Sequence, residues 1–484
     1  MKELSGDYRE NCEMLSAALR VGESFDLITR RLLVGEDELT AFYIDGFLKD
    51  TSVQKMFQAF LDLPALPKGE EAARLFMEGR VPYVEVELCR ELDKLSFFVL
   101  SGALVLLGSS FGGEAIVIDA RTYPARLPEE PDSDRAMQGA KDGFVETLIF
   151  NTVLLRRRLR DPRLTMKHIE IRGSSRTDVV VAYLDGVADP GTVSEIVDRL
   201  ERAYPSSLTM GYQSLAECLI PRRWYNPFPK IRTLERPDAA AAHLAEGSVL
   251  VLVDTSPQVM VLPTSIFDFM QETDDYYFPP LTGTYLRIVR QLVLLLALLF
   301  TPLWYLAVRH AEMLPPWLAF VVPEEPGGLP LLLQLFLAEL AIDGLKLASM
   351  NTPDRLASSM SVVGGLILGD FAVRAGWLSG EVILYMALVA VASFAQQNYE
   401  LGYALKFMRM ILLALCGLLD LAGFFVGLAL VLILVVTNRT LPVGRGYLYP
   451  LIPFDRRALA RLFLRLPKDD RGKIKTCKKK QKTS

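Results

Sequence analysis

Between Arg290 and Arg309 the chain runs through eighteen uncharged residues, QLVLLLALLFTPLWYLAV, and another eighteen separate Glu381 from Glu400. From Met410 to Asn438 only Asp420 is charged. A helix needs roughly 20 mostly apolar residues to cross a hydrocarbon layer of about 30 Å, so this stretch constrains residues 291–437 to a polytopic helical membrane domain. Ahead of it lie about 285 residues of ordinary soluble composition. The fold expected is an α/β soluble N-terminal domain of two similar subdomains, followed by a polytopic α-helical membrane domain.

The two subdomains are expected from a weak internal repeat. DELTAFYIDGFLKDTSVQKMFQAFLDL (37–63) parallels TDVVVAYLDGVADPGTVSEIVDRLERA (177–203). Each is a β-rich run closing on Asp-Gly, then a polar turn, then an amphipathic helix. Gly46 and Gly186 suit a strand exit that needs positive φ. Thr51 or Ser52 in the first copy, and Thr192 in the second, are the expected N-caps. Further on, each copy shows a hairpin pattern, at 103–121 and 248–263, with apolar runs around a turn-rich centre.

A helix over 143–160 is expected to join the subdomains and to end at Asp161-Pro162. Its basic end, Arg156, Arg157 and Arg158, has two readings. One is a contact with an anionic ligand or another subunit; the other, favoured, is a solvated helix end that complements the macrodipole. The loop 224–238, with Pro227, Pro229 and Pro237, reads as a binding loop or a connector. Tyr276, Tyr277 and Tyr285 fit an aromatic belt at a membrane interface.

Spans are placed at 291–308, 330–349, 382–399 and 410–437. In the second, Glu339, Asp343 and Lys346 are spaced by four and then three, which puts them on one helical face. A charge at the bilayer centre costs about 3 kcal/mol on insertion scales, so this face meets protein or water rather than lipid. Either it lines an ion pathway or coupling site, or its charges staple helices together. Asp343 and Lys346 are expected to neutralise each other and leave Glu339 as the residual charge. The Gly-rich segment 361–377 is too short for a secure span and reads as re-entrant; there Asp370 and Arg374 stand one helical turn apart. Glu339, Asp343, Lys346, Asp370 and Arg374 are therefore the candidate pore or coupling residues.

The 309–328 loop, with Glu312, Glu324 and Glu325, reads as outside. The run from Asp455 to Ser484, with twelve Lys/Arg against three Asp, reads as inside, anchored on anionic lipid rather than nucleic acid. Both termini then lie inside, and the number of spans is even: four is preferred, six if 403–437 divides at Asp420. The divisions expected are 1–160 and 161–285 for the cytoplasmic subdomains, 286–440 for the membrane domain and 441–484 for the basic tail. MKELSGDYRENCEML lacks an apolar leader, which fits a cytoplasmic soluble half. The five cysteines show no CxxC spacing or disulfide framework. No Walker, HExxH or GxSxG pattern and no metal-ligand spacing points to an enzyme, a metal or another cofactor.

Four segments carry a resemblance: GAKDGFVETLIFNTVLLRRRLRDP (139–162), the Pro-rich loop and second hairpin (224–264), SVVGGLILGDFAVRAGWLS (361–379) and GYLYPLIPFD (446–455). In these the chain resembles the A-subunit family of GerA-type spore germination receptors over nearly its whole length. It departs at Gly139-Ala140, where most members have Gly-Pro or Gly-Ser. It departs again from Ile342 to Lys346, which favours a branch apart from the nutrient receptors. The resemblance implies a multi-pass protein of the endospore inner membrane that acts in germination. It also implies an oligomeric ion channel for monovalent cations, with other germination subunits as partners. A non-conducting scaffold or signal relay is the alternative.

Overall fold

The computed structural model describes residues 3–69, 71–121, 139–172, 177–205, 208, 210–220, 224–272, 274–324, 327–351, 364–365, 371–396, 398–438, 440–441 and 446–464. In the soluble half one nine-element pattern is used twice. The first copy runs α1 (Tyr8–Leu19), β1 (Leu27–Val34), β2 (Asp37–Ile44), α2 (Asp50–Leu61), α3 (Ala72–Arg80), β3 (Val86–Cys89), α4 (Leu92–Leu100), β4 (Leu104–Gly108) and β5 (Ala115–Ile118). The second runs α5 (Leu148–Arg158), β6 (Leu164–Ile171), β7 (Thr177–Leu184), α6 (Pro190–Arg202), α7 (Tyr212–Leu219), β8 (Arg232–Leu234), α8 (Pro237–Ala245), β9 (Val249–Val253) and β10 (Val259–Leu262). Their sheets have matching orders, β1-β2-β4-β5-β3 and β6-β7-β9-β10-β8, with neighbouring strands antiparallel.

Each sheet is buried on both faces, so its central strands are apolar at successive positions rather than at alternate ones. In the first copy Leu104 and Leu106 face α2 and α3, while Val105 and Leu107 face α1 and α4. In the second, Val249, Val251 and Val253 pack under α6 and α7, and Leu250 and Leu252 under α5 and α8. The α/β expectation and both hairpins hold. So does the Asp-Gly exit: Gly46 has φ +81° and Gly186 φ +74°.

Two local readings need correction. The expected linker helix starts at Leu148 rather than near 143, because the preceding backbone bonds elsewhere. Phe144 N donates to Glu235 O at 2.7 Å, and the Asn151 side chain ties both backbone groups of Val145. By position it is the first helix of the second copy, the counterpart of α1, rather than a spacer. The N-caps also differ. α2 begins after Lys49 with no side-chain cap, and α6 after Asp189, whose carboxylate accepts from Thr192 N at 2.9 Å. Pro190 at the first helical position preorganises the second start and lacks only an N–H that would be unpaired there.

The helical half enters through α9 (Asp274–Tyr277) into α10 (Pro280–Arg309). Buried Asp275 bolts this entry by pairing with Arg287 at 3.1 Å and Arg290 at 2.9 Å. Next come α11 (Leu331–Asn351), a short turn at Ala372–Arg374, the Gly380–Phe394 helix and the Tyr399–Val436 helix. The third expected span ends at Phe394, since Asn398 caps the following helix by accepting from Leu401 N at 2.8 Å. Of the described helices, Pro280–Arg309 and Tyr399–Val436 are long and apolar enough to cross a membrane.

The Tyr399–Val436 helix is a hairpin rather than a single rod. At Asp420 the backbone turns to φ 60°, ψ −136°, and the second arm folds back on the first. Gly423 lies against the backbone of Leu415, and a Cβ on Gly427 would come within 2.9 Å of the Leu412 side chain. Small residues allow this close approach of two apolar helices. Asp420 accepts from His310 Nε2 at 2.9 Å and pairs with Arg309 at 3.6 Å, so the turn sits at the far end of α10. The reversal falls where the six-span reading divides the sequence.

Candidate functional site

The predicted face of α11 turns toward the first arm of the hairpin. The two run antiparallel, and their charges form a ladder. Glu339 pairs with Arg409 at 2.6 Å and with Lys406 at 3.2 Å. Asp343 pairs with Lys406. Lys346 points its ammonium at aromatic rings, 4.6 Å from the centre of Tyr403, 5.1 Å from Tyr399 and 5.8 Å from Phe394. Arg409 also donates to the Ala297 carbonyl of α10, one residue before the Leu298 carbonyl that Pro302 leaves without its helical donor.

These groups surround a cavity of about 40 Å³, closed on the third side by Met386, Val389 and Ser393 of the Gly380–Phe394 helix. One water needs at least ~10–15 Å³ by this measure, so the space suits a few waters or one small ion. Glu339, Lys406 and Arg409 are 7%, 8% and 3% exposed. Two acids against three bases leave the lining with one surplus positive charge, which the electron-rich ring faces of the Lys346 cage offset in part.

The expected division of charge on α11 is therefore wrong. Asp343 is neutralised by Lys406 and not by Lys346, and Glu339 carries no residual charge because two cations share it. Antiparallel packing offers cations from the facing helix, whereas Lys346 reaches aromatic rings beyond its own helix. Lys406 and Arg409 went unrecognised as site residues. Their spacing of three, with Tyr399 and Tyr403 just before, marked a matching face on the next helix. Arg374 sits in the Ala372–Arg374 turn and does not line the cavity. Asp370 lies outside the described residues, as do 361–363 and 366–369 of the Gly-rich segment and the basic tail beyond residue 464.

The basic end of α5 is also placed differently from expectation. Arg156 is completely buried and donates to Asp26 at 3.0–3.1 Å, to Ser24 at 3.3 Å and to the Asp161 carbonyl at 3.2 Å. It joins the two copies and has no surface for an external anion or subunit. Arg20 does the same from the other side, pairing with Asp185 at 2.9 Å. Arg158 pairs with Asp142 at 2.6 Å, and Arg157 is exposed.

The junction of the halves is tied by a second network. Arg236, 1% exposed, pairs with Asp238 at 2.8 Å, and Tyr277 donates to the same carboxylate at 2.8 Å. Burial works against ionisation of Asp238, yet the Arg236 and Tyr277 bonds win and hold its carboxyl below the usual range. Gly139, at φ +112°, lies directly against the Tyr277 ring, so the block that opens the second copy also touches the entry to the helical half. The Pro-rich loop is pinned to the hairpin. Asn226 donates to Leu434 O at 3.0 Å, and Tyr447 donates to Pro229 O at 2.8 Å.

Comparison with known proteins completes the picture. The family described as Bacillus/Clostridium GerA spore germination protein matches residues 14–475. Stage V sporulation protein AF of Bacillus subtilis (strain 168) is 35% identical over 461 residues, covering 95% of this chain and 92% of that protein. Spore germination protein KA of the same organism is 28% identical over 456 residues, 92% of this chain and 82% of that one. Among solved structures, the N-terminal domain of the A subunit of the Bacillus megaterium spore germinant receptor GerK3 is similar at 23% identity. Its TM-score is 0.41, with 54% of this chain and 96% of that domain covered. The chain belongs to the GerA family of spore germination proteins.

Proposed function

We propose that the chain is a multi-pass subunit of the spore inner membrane. In this reading it assembles with copies of itself and with other germination subunits into a channel that releases monovalent cations. Both termini face the spore core, and no catalytic step is involved. The observation that carries the reading is the charge cluster of Glu339, Asp343, Lys346, Lys406 and Arg409 around a cavity between apolar helices. Ionisable groups at such depth are costly, and they mark ion pathways and coupling sites far more often than chance placement would.

In the conformation described, both acids are held by cations of the facing helix, and this is the closed arrangement. Separating the hairpin from α11 exposes Glu339 and Asp343 to the cavity and makes the path acidic. The soluble half has direct leverage on that separation, because its Pro-rich loop bonds to the second arm of the same hairpin. A second reading, a scaffold or signal relay without conduction, is favoured by the fact that each acid already has a partner within one chain.

Spores carrying Glu339→Gln with Asp343→Asn, at unchanged protein level in the membrane, test the choice. The channel reading expects K⁺ release during germination to change severalfold or more. Unaltered release at normal protein level would leave the scaffold reading standing.

A further inference from the structure

The cavity between α11 and the hairpin is lined by two acids, Glu339 and Asp343, against three bases, Lys346, Lys406 and Arg409. Lys406 and Arg409 take both acids between them, with Lys406 bridging the two carboxylates. Lys346 is met instead by the rings of Tyr403, Tyr399 and Phe394. Ring faces attract a cation through their quadrupole but carry no net charge, so the lining stays one unit positive. Much of the remaining wall is apolar, including Ile342, Met386 and Val389. A net charge in such surroundings is costly unless a counter-charge joins it.

A second observation falls at the same cavity and is independent of the charge count. Gln396 lines it and is 6% exposed, and its side-chain Nε2 is buried without a hydrogen-bond partner. The nearby Ser393 hydroxyl spends its own proton on Val389 O at 2.9 Å. Leaving a buried donor unmade costs the desolvation of that group, so an acceptor at this place is stabilising. A surplus cation calls for negative charge, and an amide N–H calls for an acceptor. Water answers only the second need, and a metal cation answers neither. We infer that the cavity binds one small monovalent anion of halide size, held by the Lys346 ammonium and the Gln396 amide, with Lys406 and Arg409 adding attraction. The space of about 40 Å³ admits an ion little larger than water and is too small for a sugar acid. This inference concerns the cluster invoked for the channel but does not rest on conduction. Binding stabilises the conformation that brings these groups together, which in the channel reading is the closed one.

The test uses the full chain in phosphatidylcholine nanodiscs, kept in gluconate at constant ionic strength and titrated with chloride. Binding is read as excess width of the chloride NMR line, without any measurement of flux. Expected are saturable broadening, its displacement by bromide, and no displacement by further gluconate. Lys346→Gln balances the lining and should weaken chloride binding at least tenfold. Gln396→Leu removes the donor and should weaken it at least threefold. Asp343→Asn works in the opposite direction: it adds to the surplus and should tighten binding at least threefold. Unfolding temperatures in gluconate check that each variant folds. If Lys346→Gln does not fold, Asp343→Asn decides, because a folding defect does not tighten binding. Absence of saturable broadening means that water alone fills the cavity and overturns the proposal. So does wild-type affinity in folded Lys346→Gln, or unchanged or weaker affinity in folded Asp343→Asn.

Discussion

Arg156 and Arg409 are both buried and both ion-paired to residues far away in sequence, yet their surroundings differ. Arg156 meets one acid, Asp26, and fills its remaining donors with Ser24 and a carbonyl, so its site is balanced. Arg409 shares Glu339 with Lys406, which also holds Asp343, and Lys346 adds a third cation beside a cavity of about 40 Å³. A balanced pair with no space around it is what joining two domain copies requires. Surplus charge around a space is more than a staple requires, and that difference separates the structural site from the candidate functional one.

The largest effect expected belongs to the structural side. Arg156→Met strands Asp26 in the interior, and breaking a buried pair from one side costs about 3–5 kcal/mol. Denaturant unfolding of the soluble half in the full chain should show that loss, and Asp26→Leu combined with Arg156→Met should recover most of it. A cost below about 1 kcal/mol for the single change would break the comparison.

The two copies supply the next test. Gly46 and Gly186 occupy the same turn with similar φ, so alanine at either carries left-handed strain of about 1–2 kcal/mol. Only at position 46 does the new Cβ also press on neighbours, at 2.6 Å from Val153 and 2.8 Å from Ile149; position 186 is open. Gly46→Ala should therefore exceed Gly186→Ala by about 1–3 kcal/mol in the same unfolding measurement. Equal costs would mean that α5 gives way without strain.

A smaller effect concerns acid stability at the junction. The folded-state carboxyl of Asp238 ionises at lower pH than its unfolded value of ~3.9. Between those values the unfolded chain binds more protons, so stability rises with pH there. This contribution is present above the unfolded value and is lost as the pH falls through the folded one. Asp238→Asn removes it, and the melting temperature of the variant should fall less than that of the wild type on acidification from about pH 6 to 3. Parallel acid profiles would show that the Arg236 and Tyr277 contacts do not discriminate between folded and unfolded states.

Much of this was legible in the residues. Apolar runs announced the helical half, and the Asp-Gly repeat announced the doubled α/β half, because both depend on local patterning. The α11 face was legible for the same reason, since spacing of four and three is a property of one helix. Its partners were not, because pairing depends on which neighbouring helix lies antiparallel and at what height. Arg156 shows the same limit: a run of three arginines reads as a solvated end, but the first one faces the other copy's Asp26. For Asp420 the sequence leaves two readings, a lone charge in a span or the division of a six-span arrangement, and the structure makes it the turn of a hairpin whose arms meet through Gly423 and Gly427.

The central claim is that the charge cluster between α11 and the hairpin does more than hold helices together. Glu339→Leu with Arg409→Met removes one complete ion pair and leaves Asp343 with Lys406, a change that buried pairs often tolerate with little loss of stability. The decisive measurement is K⁺ flux per folded molecule in liposomes containing this double variant and its partner subunits. The account predicts normal assembly and unfolding temperature with flux altered at least tenfold. Wild-type flux from the normally assembled double variant would contradict it and reduce the cluster to a staple.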